Sequence, residues 1–378
     1  MINLFGLHLQ LLLGQGLPTP APLKVNEALQ SVEVTVKDSD RSGFQMVFQV
    51  GRGLADRKDF ALLEEARLKP FNRVVLSVLF GVTPQPIMDG IITTQQLAPS
   101  EEPGASKLTV TGEDVSVKMD LQKEQRPYPQ LGDNLIVSLI LLPYIIEFGM
   151  LPQVMPPEDP LIQPVTEQTR SQTTNESDLA YIKKLASKHG FVFYVEPGPA
   201  PLTNRAYWGP PERLTLPQPA LSVNMGPGSN VETMSFKYGE LAPKAVTYTK
   251  ADGTTATIDS YSRRPPLAAR VPTPHKLDFL GSGPDGETDA AKRVRAQGEV
   301  NTSFDQVATA EGTLDALRYG RILKPRSLVD VRGAGDSFDG RFYVKSVTHT
   351  IDVKKGQYKQ KFSLSREGVG TTTPLVVP

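Results

Sequence analysis

Apolar and polar residues alternate along most of this chain, and in a few stretches the apolar positions fall instead at helical spacing. Val32, Val34 and Val36 alternate with Glu33, Thr35 and Lys37, the period-two pattern of a strand with one buried face. The run Asp38 to Gly43 supplies a turn, and Phe44, Met46, Phe48 and Val50 continue as its partner. A second pair is predicted from Arg73 to Phe80, through a turn around Pro84 and Pro86, into Met88 to Thr94. Leu108-Thr109-Val110 and Val115-Ser116-Val117 then read as two short strands about Gly112. About six strands at hairpin spacing predict a small antiparallel barrel or sandwich.

The period changes at two places. Residues 135–148 are an apolar run that Asp133 or Asn134 can cap, predicted as a buried helix or helix–turn segment. Residues 177–195 read as one amphipathic helix running into a strand. Asn175 and Asp178 make a capping-box-like start, and Leu179, Ile182 and Leu185 form the apolar face. Gly190 ends the helix, and Phe191 to Val195 has strand composition. Together these predict a small α/β subdomain between two β regions. Trp208 is read as the anchor of a proline-rich loop.

Strand patterns return at Val231 to Tyr238, Ala245 to Lys250 and Thr255 to Tyr261. Residues 263–288 form a Pro/Gly-rich connection, and Asp289 to Gln297 a short helix. The last block holds Leu328 to Val331, a turn-rich loop at 332–340, Arg341 to Asp352, and Tyr358 to Arg366.

Composition narrows the function. The chain has 378 residues, enough for several subdomains, with 41 basic and 41 acidic side chains and no cysteine. Balanced charge gives no global field toward nucleic acid or an anionic membrane. The absence of cysteine removes disulfides, thiolate zinc sites and cysteine nucleophiles. The fourteen-residue apolar run, broken by Pro143 and Glu147, is shorter than the roughly twenty residues of a membrane span. The N-terminus lacks the basic region and cleavage site of a signal peptide.

Local chemistry is sparse. Residues 281–286 match G-x-G-x-x-G, but Pro284 removes an amide and the surroundings are a linker. His8, His189, His275 and His349 have no metal-ligand spacing. His349 with Asp352 suggests a triad fragment, yet no nucleophile elbow accompanies it. Asp336 and Asp339 beside Gly340 lack the remaining ligands of a calcium loop. Lys292, Arg293 and Arg295 read as a solvated helix face. No residue is assigned a catalytic, cofactor-binding or metal-ligating role, and no cofactor is expected.

Three stretches carry a resemblance. The helix–strand segment 177–195, the Leu108 to Asp114 segment, and the C-terminal pattern are similar to the phage late control protein D family, the baseplate hub family that includes the hub portion of VgrG. The C-terminal pattern comprises Gly340, Phe342, Val344, Val347, His349 and Ile351, then Tyr358, Phe362, Leu364 and Arg366. The match runs in family order from about residue 25 to 368; the long needle and OB-like region of full VgrG proteins have no counterpart after residue 370.

The resemblance implies a mainly β fold with α+β insertions: two tube-like antiparallel β-barrels plus a small α/β subdomain. The expected division is an N-terminal arm (1–24), a first barrel (25–125), the α/β insertion (126–215), a β segment joining the second barrel (216–265), a linker and short helix (266–300), the second barrel (301–370) and a tail (371–378). It further implies a non-enzymatic hub, of a contractile phage tail or phage-derived injection system, that forms a homotrimer with six barrels in a ring. Its expected partners are a hexameric tail tube protein, a separate spike protein and other baseplate proteins. It is expected in the virion tail baseplate or injection particle, assembled in the bacterial cytoplasm. Neither membrane insertion nor sequence-specific nucleic-acid binding is expected. A tail-associated peptidoglycan-degrading enzyme and a β-rich carbohydrate-binding module stay open as alternatives.

Overall fold

The computed structural model describes residues 2–4, 7–51, 60, 62–80, 83–102, 104–157, 176–198, 200, 202–283 and 287–372. The chain is mainly β, with a few helices set into it. Most strands belong to one fourteen-stranded, largely antiparallel sheet.

The first β unit contains β1 (Leu7–Gly14), β2 (Leu29–Lys37), β3 (Gly43–Val50), β4 (Arg73–Phe80), β5 (Thr83–Ala98) and β6 (Ser106–Asp114). Their order across the sheet is β1-β4-β5-β6-β3-β2. The alternating apolar residues all point to one cluster that includes Leu11, Val32, Val34, Phe44, Met46, Phe48, Leu76 and Val110. Residues expected to be an arm thus supply strand β1, whose Leu9, Leu11 and Leu13 are buried and which pairs with β4 along its length. Pro84 and Pro86 lie within β5 instead of in a turn. Pairing with β6 starts only at Gly90, so the prolines occupy a stretch with a single partner strand, where a missing N–H costs little. Val115 to Asp120 is a 3₁₀ turn rather than a strand: the Asp114 carboxylate accepts from the Ser116 amide at 2.9 Å and turns the chain.

The α/β subdomain follows, with α1 (Asp133–Phe148), β7 (Met150–Val154), α2 (Asp178–Lys188), β8 (Val192–Pro197) and β9 (Asn204–Gly209). β9 is central, parallel to β7 and antiparallel to β8. Trp208 therefore sits in a strand, fully buried against Phe191 and His189, and not in a loop. Ser177 caps α2, its hydroxyl accepting from the Ala180 amide; Asn175 lies outside the described residues. Gly190 has φ +62°, and a Cβ there would stand 2.6 Å from the Gly298 Cα, so only glycine allows this helix end to touch the second β unit's helix. Helix α1 is only half buried. Ile136, Val137, Ile140 and Leu141 enter the core, whereas Leu135, Leu139, Leu142 and Ile146 are exposed, Ile146 to 92 %.

The second β unit starts with β10 (Val231–Tyr238). A small sheet interrupts it, formed by β11 (Lys244–Thr249), β12 (Thr255–Ile258) and β13 (Lys276–Phe279), with α3 (Asp289–Phe304) packed against it. β13 falls in the stretch read as a connection, and α3 runs seven residues past its predicted end. The unit resumes with β14 (Ala308–Asp315), a strand that its residue pattern does not predict, then β15 (Leu328–Arg332), β16 (Gly340–Asp352) and β17 (Gln357–Arg366). The order is β15-β16-β17-β14-β10, and a short strand Gln218–Ser222 lies parallel to β15. The tail from 373 and residues 284–286 of the glycine-rich stretch lie outside the described residues.

Arg326 fastens three parts of the fold at one point. It is 2 % exposed and precedes β15. Its guanidinium donates to the Lys37 carbonyl at 2.6 and 3.0 Å and to the Ser42 hydroxyl at 3.2 Å, both in the first unit. It also reaches Glu196 at 3.3 Å and lies 3.9 Å from the centre of the Tyr194 ring, both in the α/β subdomain. A planar fork can serve these partners together; an ammonium cannot. Replacing Arg326 with Ala should cost on the order of 3 kcal/mol, because buried acceptors lose a charged donor. Arg326→Lys should recover less than half of that, read by urea unfolding. Equal stability of the Lys variant and the parent would show that the fork geometry is not what matters.

Candidate assembly surface

The two β units are the same motif written twice. β2, β3, β4, β5 and β6 correspond in chain order to β10, β14, β15, β16 and β17, and in sheet order β4-β5-β6-β3-β2 corresponds to β15-β16-β17-β14-β10. Their irregularities coincide as well. An extra residue, Gln30, interrupts the pairing of β2 with β3, and Glu232 interrupts β10 with β14 at the matching place. Thr93 is the extra residue of β5 against β6, and Lys345 that of β16 against β17. Bulges fix register, so these two pairs align the units residue by residue.

The units meet edge to edge. β2, the last strand of the first unit, pairs antiparallel with the far half of β16 from Ser346↔Lys37 to Asp352↔Ser31. The near half of β16 is held by β15 on the same side. The bulge at Lys345 explains the spacing of the C-terminal pattern. Phe342 and Val344 point inward before it, and Val347, His349 and Ile351 after it, so the inward parity switches from even to odd. Phe342, Val344 and Val347 belong to the second unit's core, while Ile351 and Tyr358 belong to the first unit's. One hairpin thus fills both cores.

His349 sits at this passage, 2 % exposed, with Nδ1 2.7 Å from the Tyr358 hydroxyl. Asp352 does not approach it, bonding instead to the Lys355 amide, so no triad forms. Arg366 lies over Phe342 and donates to the carbonyls of Ser337, Asp339 and Gly368. The pattern residues are structural positions of the hairpin.

The remaining candidates scatter. His189 Nε2 is 2.7 Å from Asp133, which Lys188 also contacts, a buried ion cluster joining α1 and α2. Asp339 accepts from the Ala334 amide and shapes the loop before β16. Lys292 and Arg295 bond to the Thr249 carbonyl and Glu287 on the surface of α3. A cleft of about 460 Å³ opens where the units meet, but its Arg213 and Arg263 are already answered by Asp305 and Glu367. No group of three or more potential metal ligands occurs among the described residues.

What the chain offers a partner is sheet surface. A single row of directly paired residues, Glu113, Gly43, Thr35, Thr348, Lys361, Thr313 and Thr233, crosses seven strands of both units on the face away from the cores. Thr35 and Thr348 approach to 3.0 Å across the junction, and Ser346 and Ser363 to 2.7 Å beside it. This face is polar, of mixed charge and continuous over the junction. Two backbone edges end it. β10 has β14 on one side and no strand on the other, and the segment Thr94–Ala98 of β5 has β6 on one side and no backbone partner on the other among the described residues.

Solved structures share the fold over nearly the whole chain. The chain superposes on a tail protein of Neisseria meningitidis MC58 with TM-score 0.66 at 15 % identity, covering 97 % of this chain and 98 % of that one. The chain has a phage tail-protein fold. The 43 kDa tail protein of prophage MuSo2 from Shewanella oneidensis matches with TM-score 0.65 at 13 % identity, covering 96 % and 98 %. The E. coli c3393 protein, a component of the type VI secretion system with structural similarity to the T4 tail proteins gp27 and gp5, matches at 0.57 and 12 %, covering 93 % and 77 %. No protein-family profile and no curated protein matches the sequence.

The buried histidine of this fold makes stability pH-dependent. Burial holds His349 down to about 3, against about 6.5 in the unfolded chain. The unfolded state therefore binds a proton that the folded state refuses, and stability present above pH 6.5 is lost as pH falls toward 3. Between pH 7 and pH 4.5 the parent should lose about 2–3 kcal/mol more than His349→Gln, measured by urea unfolding at both pH values. Identical losses would mean that His349 titrates normally.

Proposed function

We propose that this protein is the structural baseplate hub of a contractile phage tail or a phage-derived injection machine, a late control protein D or VgrG-hub-like chain. Three copies form a ring of six β units that adapts a hexameric tail tube to a trimeric spike carried on a separate chain. The observation that carries this reading is the internal repeat: two units with the same strand order and the same bulges stand side by side in one chain. A hexameric neighbour then meets six similar units, while a trimeric neighbour meets three chains. The tail-protein fold of the similar structures supports it.

In this reading residues 7–125 supply one ring unit, and residues 216–238 with 308–370 the other. The polar sheet face lines the passage, where hydroxyl and mixed-charge side chains give a moving chain or nucleic acid no apolar or single-sign surface to adhere to. The α/β insertion at 126–215 faces other baseplate proteins. Its exposed stripe Leu135, Leu139, Leu142 and Ile146 is contiguous on one helix face and suits a protein contact rather than permanent contact with water. Catalysis has no part in this reading.

Light scattering of the purified protein, alone and with candidate tube and spike chains, tests it. The expected species is a trimer of three 41.3 kDa chains, formed alone or on adding the tube protein. A monomer that ignores both partners refutes the hub.

A further inference from the structure

Helix α1 keeps four large aliphatic side chains outside the core. Leu135 is 52 % exposed, Leu139 44 %, Leu142 52 % and Ile146 92 %. They are spaced four, three and four residues apart, so on the helix they fall within about 60° of one another. The result is a straight apolar seam about 17 Å long. The opposite face, with Ile136, Val137, Ile140 and Leu141, fills the core of the α/β subdomain. Alternation of three and four is the repeat of a helix-on-helix contact, in which each side chain enters a hole between four residues of the partner. A strand repeats at two and has no such holes.

We infer that this seam seats an amphipathic helix of a separate baseplate protein, with leucine-like side chains at heptad spacing, a basic flank and a hydrogen-bond donor near its middle.

Charge selects the flank. Asp133 and Glu147 are the only charged residues of α1, and Asp133 is buried with Lys188 and His189. The exposed side of the helix therefore carries Glu147 alone, next to a helix C-terminus whose dipole is also negative. A basic side chain complements both. The same charge disfavours a second copy, because copies around a threefold axis run parallel and bring like Glu147 ends together. It also disfavours an anionic lipid surface, which helices meet with Lys and Arg.

The donor follows from Pro143, exposed on the flank of the seam. Proline has no N–H, so it withholds the bond that the Leu139 carbonyl accepts in a regular helix. Helix geometry places that carbonyl between Leu139 and Pro143, half-way along the seam, where a Ser, Asn or Gln of the partner can donate to it.

That the occupant is a separate baseplate protein rests on the hub reading; its helical form and basic flank do not. Three labelled synthetic peptides of three heptads each serve as probes, read by fluorescence anisotropy. The first has Leu at the two seam positions, Lys on the flanks and one central Asn. The second replaces Lys with Glu, and the third rearranges the first into strict apolar–polar alternation. The first should bind at least about tenfold tighter than either of the others. Leu142→Ser with Ile146→Ser should weaken it at least about tenfold while the urea midpoint stays that of the parent, and Glu147→Lys should reverse the preference between the first two peptides.

Equal binding of the alternating peptide, or binding untouched by the double Ser variant, overturns the inference. So does flotation of the parent, but not the double Ser variant, on phosphatidylglycerol vesicles, which would give the seam to lipid. Self-association of the chain alone that the double variant abolishes gives it to a second copy, again overturning the inference. A trimer with tube protein whose seam ignores the first peptide leaves the hub standing without this contact. A chain that takes the peptide but never trimerises keeps the helix seat and refutes the hub.

Discussion

The fold depends on one bulged hairpin. β16 and β17 are long enough to leave their own unit, and the extra residue Lys345 reverses which side chains face inward half-way along. Without that reversal, Val347, His349 and Ile351 would emerge on the polar face and the first unit would lose the Ile351 and Tyr358 side chains from its core. The bulge is thus what lets two hydrophobic cores share a continuous sheet. It also makes the junction costly to open: separating the units means exposing apolar side chains from both cores as well as breaking a strand ladder.

Other polar contacts lock pieces onto that frame. Arg326 ties the second unit to the first and to the α/β subdomain. Arg73, buried in β4, pairs with Asp89 at 2.5 and 2.7 Å, and Asn204 of β9 adds a bond to the same carboxylate at 3.0 Å. Arg213 joins Glu367 at 2.8 Å and Asp305 at 2.6 Å, holding the chain leaving the α/β subdomain against the end of β17 and the end of α3. Each is a guanidinium with several acceptors. Buried charge of this kind adds little net stability against a well-packed apolar alternative, but it is intolerant of misplacement. These clamps therefore serve orientation of one part against another more than they add stability.

Much of this was legible in the sequence, and the failures have physical reasons. Val32, Val34 and Val36, the 177–195 helix–strand, and β16 and β17 follow local periodicity, and local periodicity reports them. Trp208 was misread because Asn204–Gly209 shows no alternation: every residue but Arg205 is buried, as a central strand covered on both faces requires. β14 was missed because its inward residues Ala308, Ala310 and Gly312 are small and give little apolar signal; at Gly312 a Cβ would collide with the Phe362 ring. Pro84 and Pro86 signalled a turn because sequence does not show that one side of that stretch lacks a partner strand. Arg326 and Arg213 gave no signal at all, since their partners lie far away along the chain. The repeat was invisible for a related reason: its units share bulges and register, not residue identities.

The treatment of the sheet's edges carries the argument for assembly furthest. The outer side of β1 is covered by the chain's own segments Ile2–Leu4 and Thr19–Pro20, with Pro18, Pro20 and Pro22 withholding amides. The short strand at 218–222 is capped by Asn230, whose side chain bonds the Ser222 amide and the Ala220 carbonyl. Proteins block exposed edges in such ways because an open ladder recruits other chains. Among the described residues β10 has no such cover, and its alternating Met234, Phe236 and Tyr238 offer a second strand both backbone bonds and apolar contact. An edge left open beside edges that are covered is where a further chain can add a strand, and the half-edge Thr94–Ala98 shares that property among the described residues.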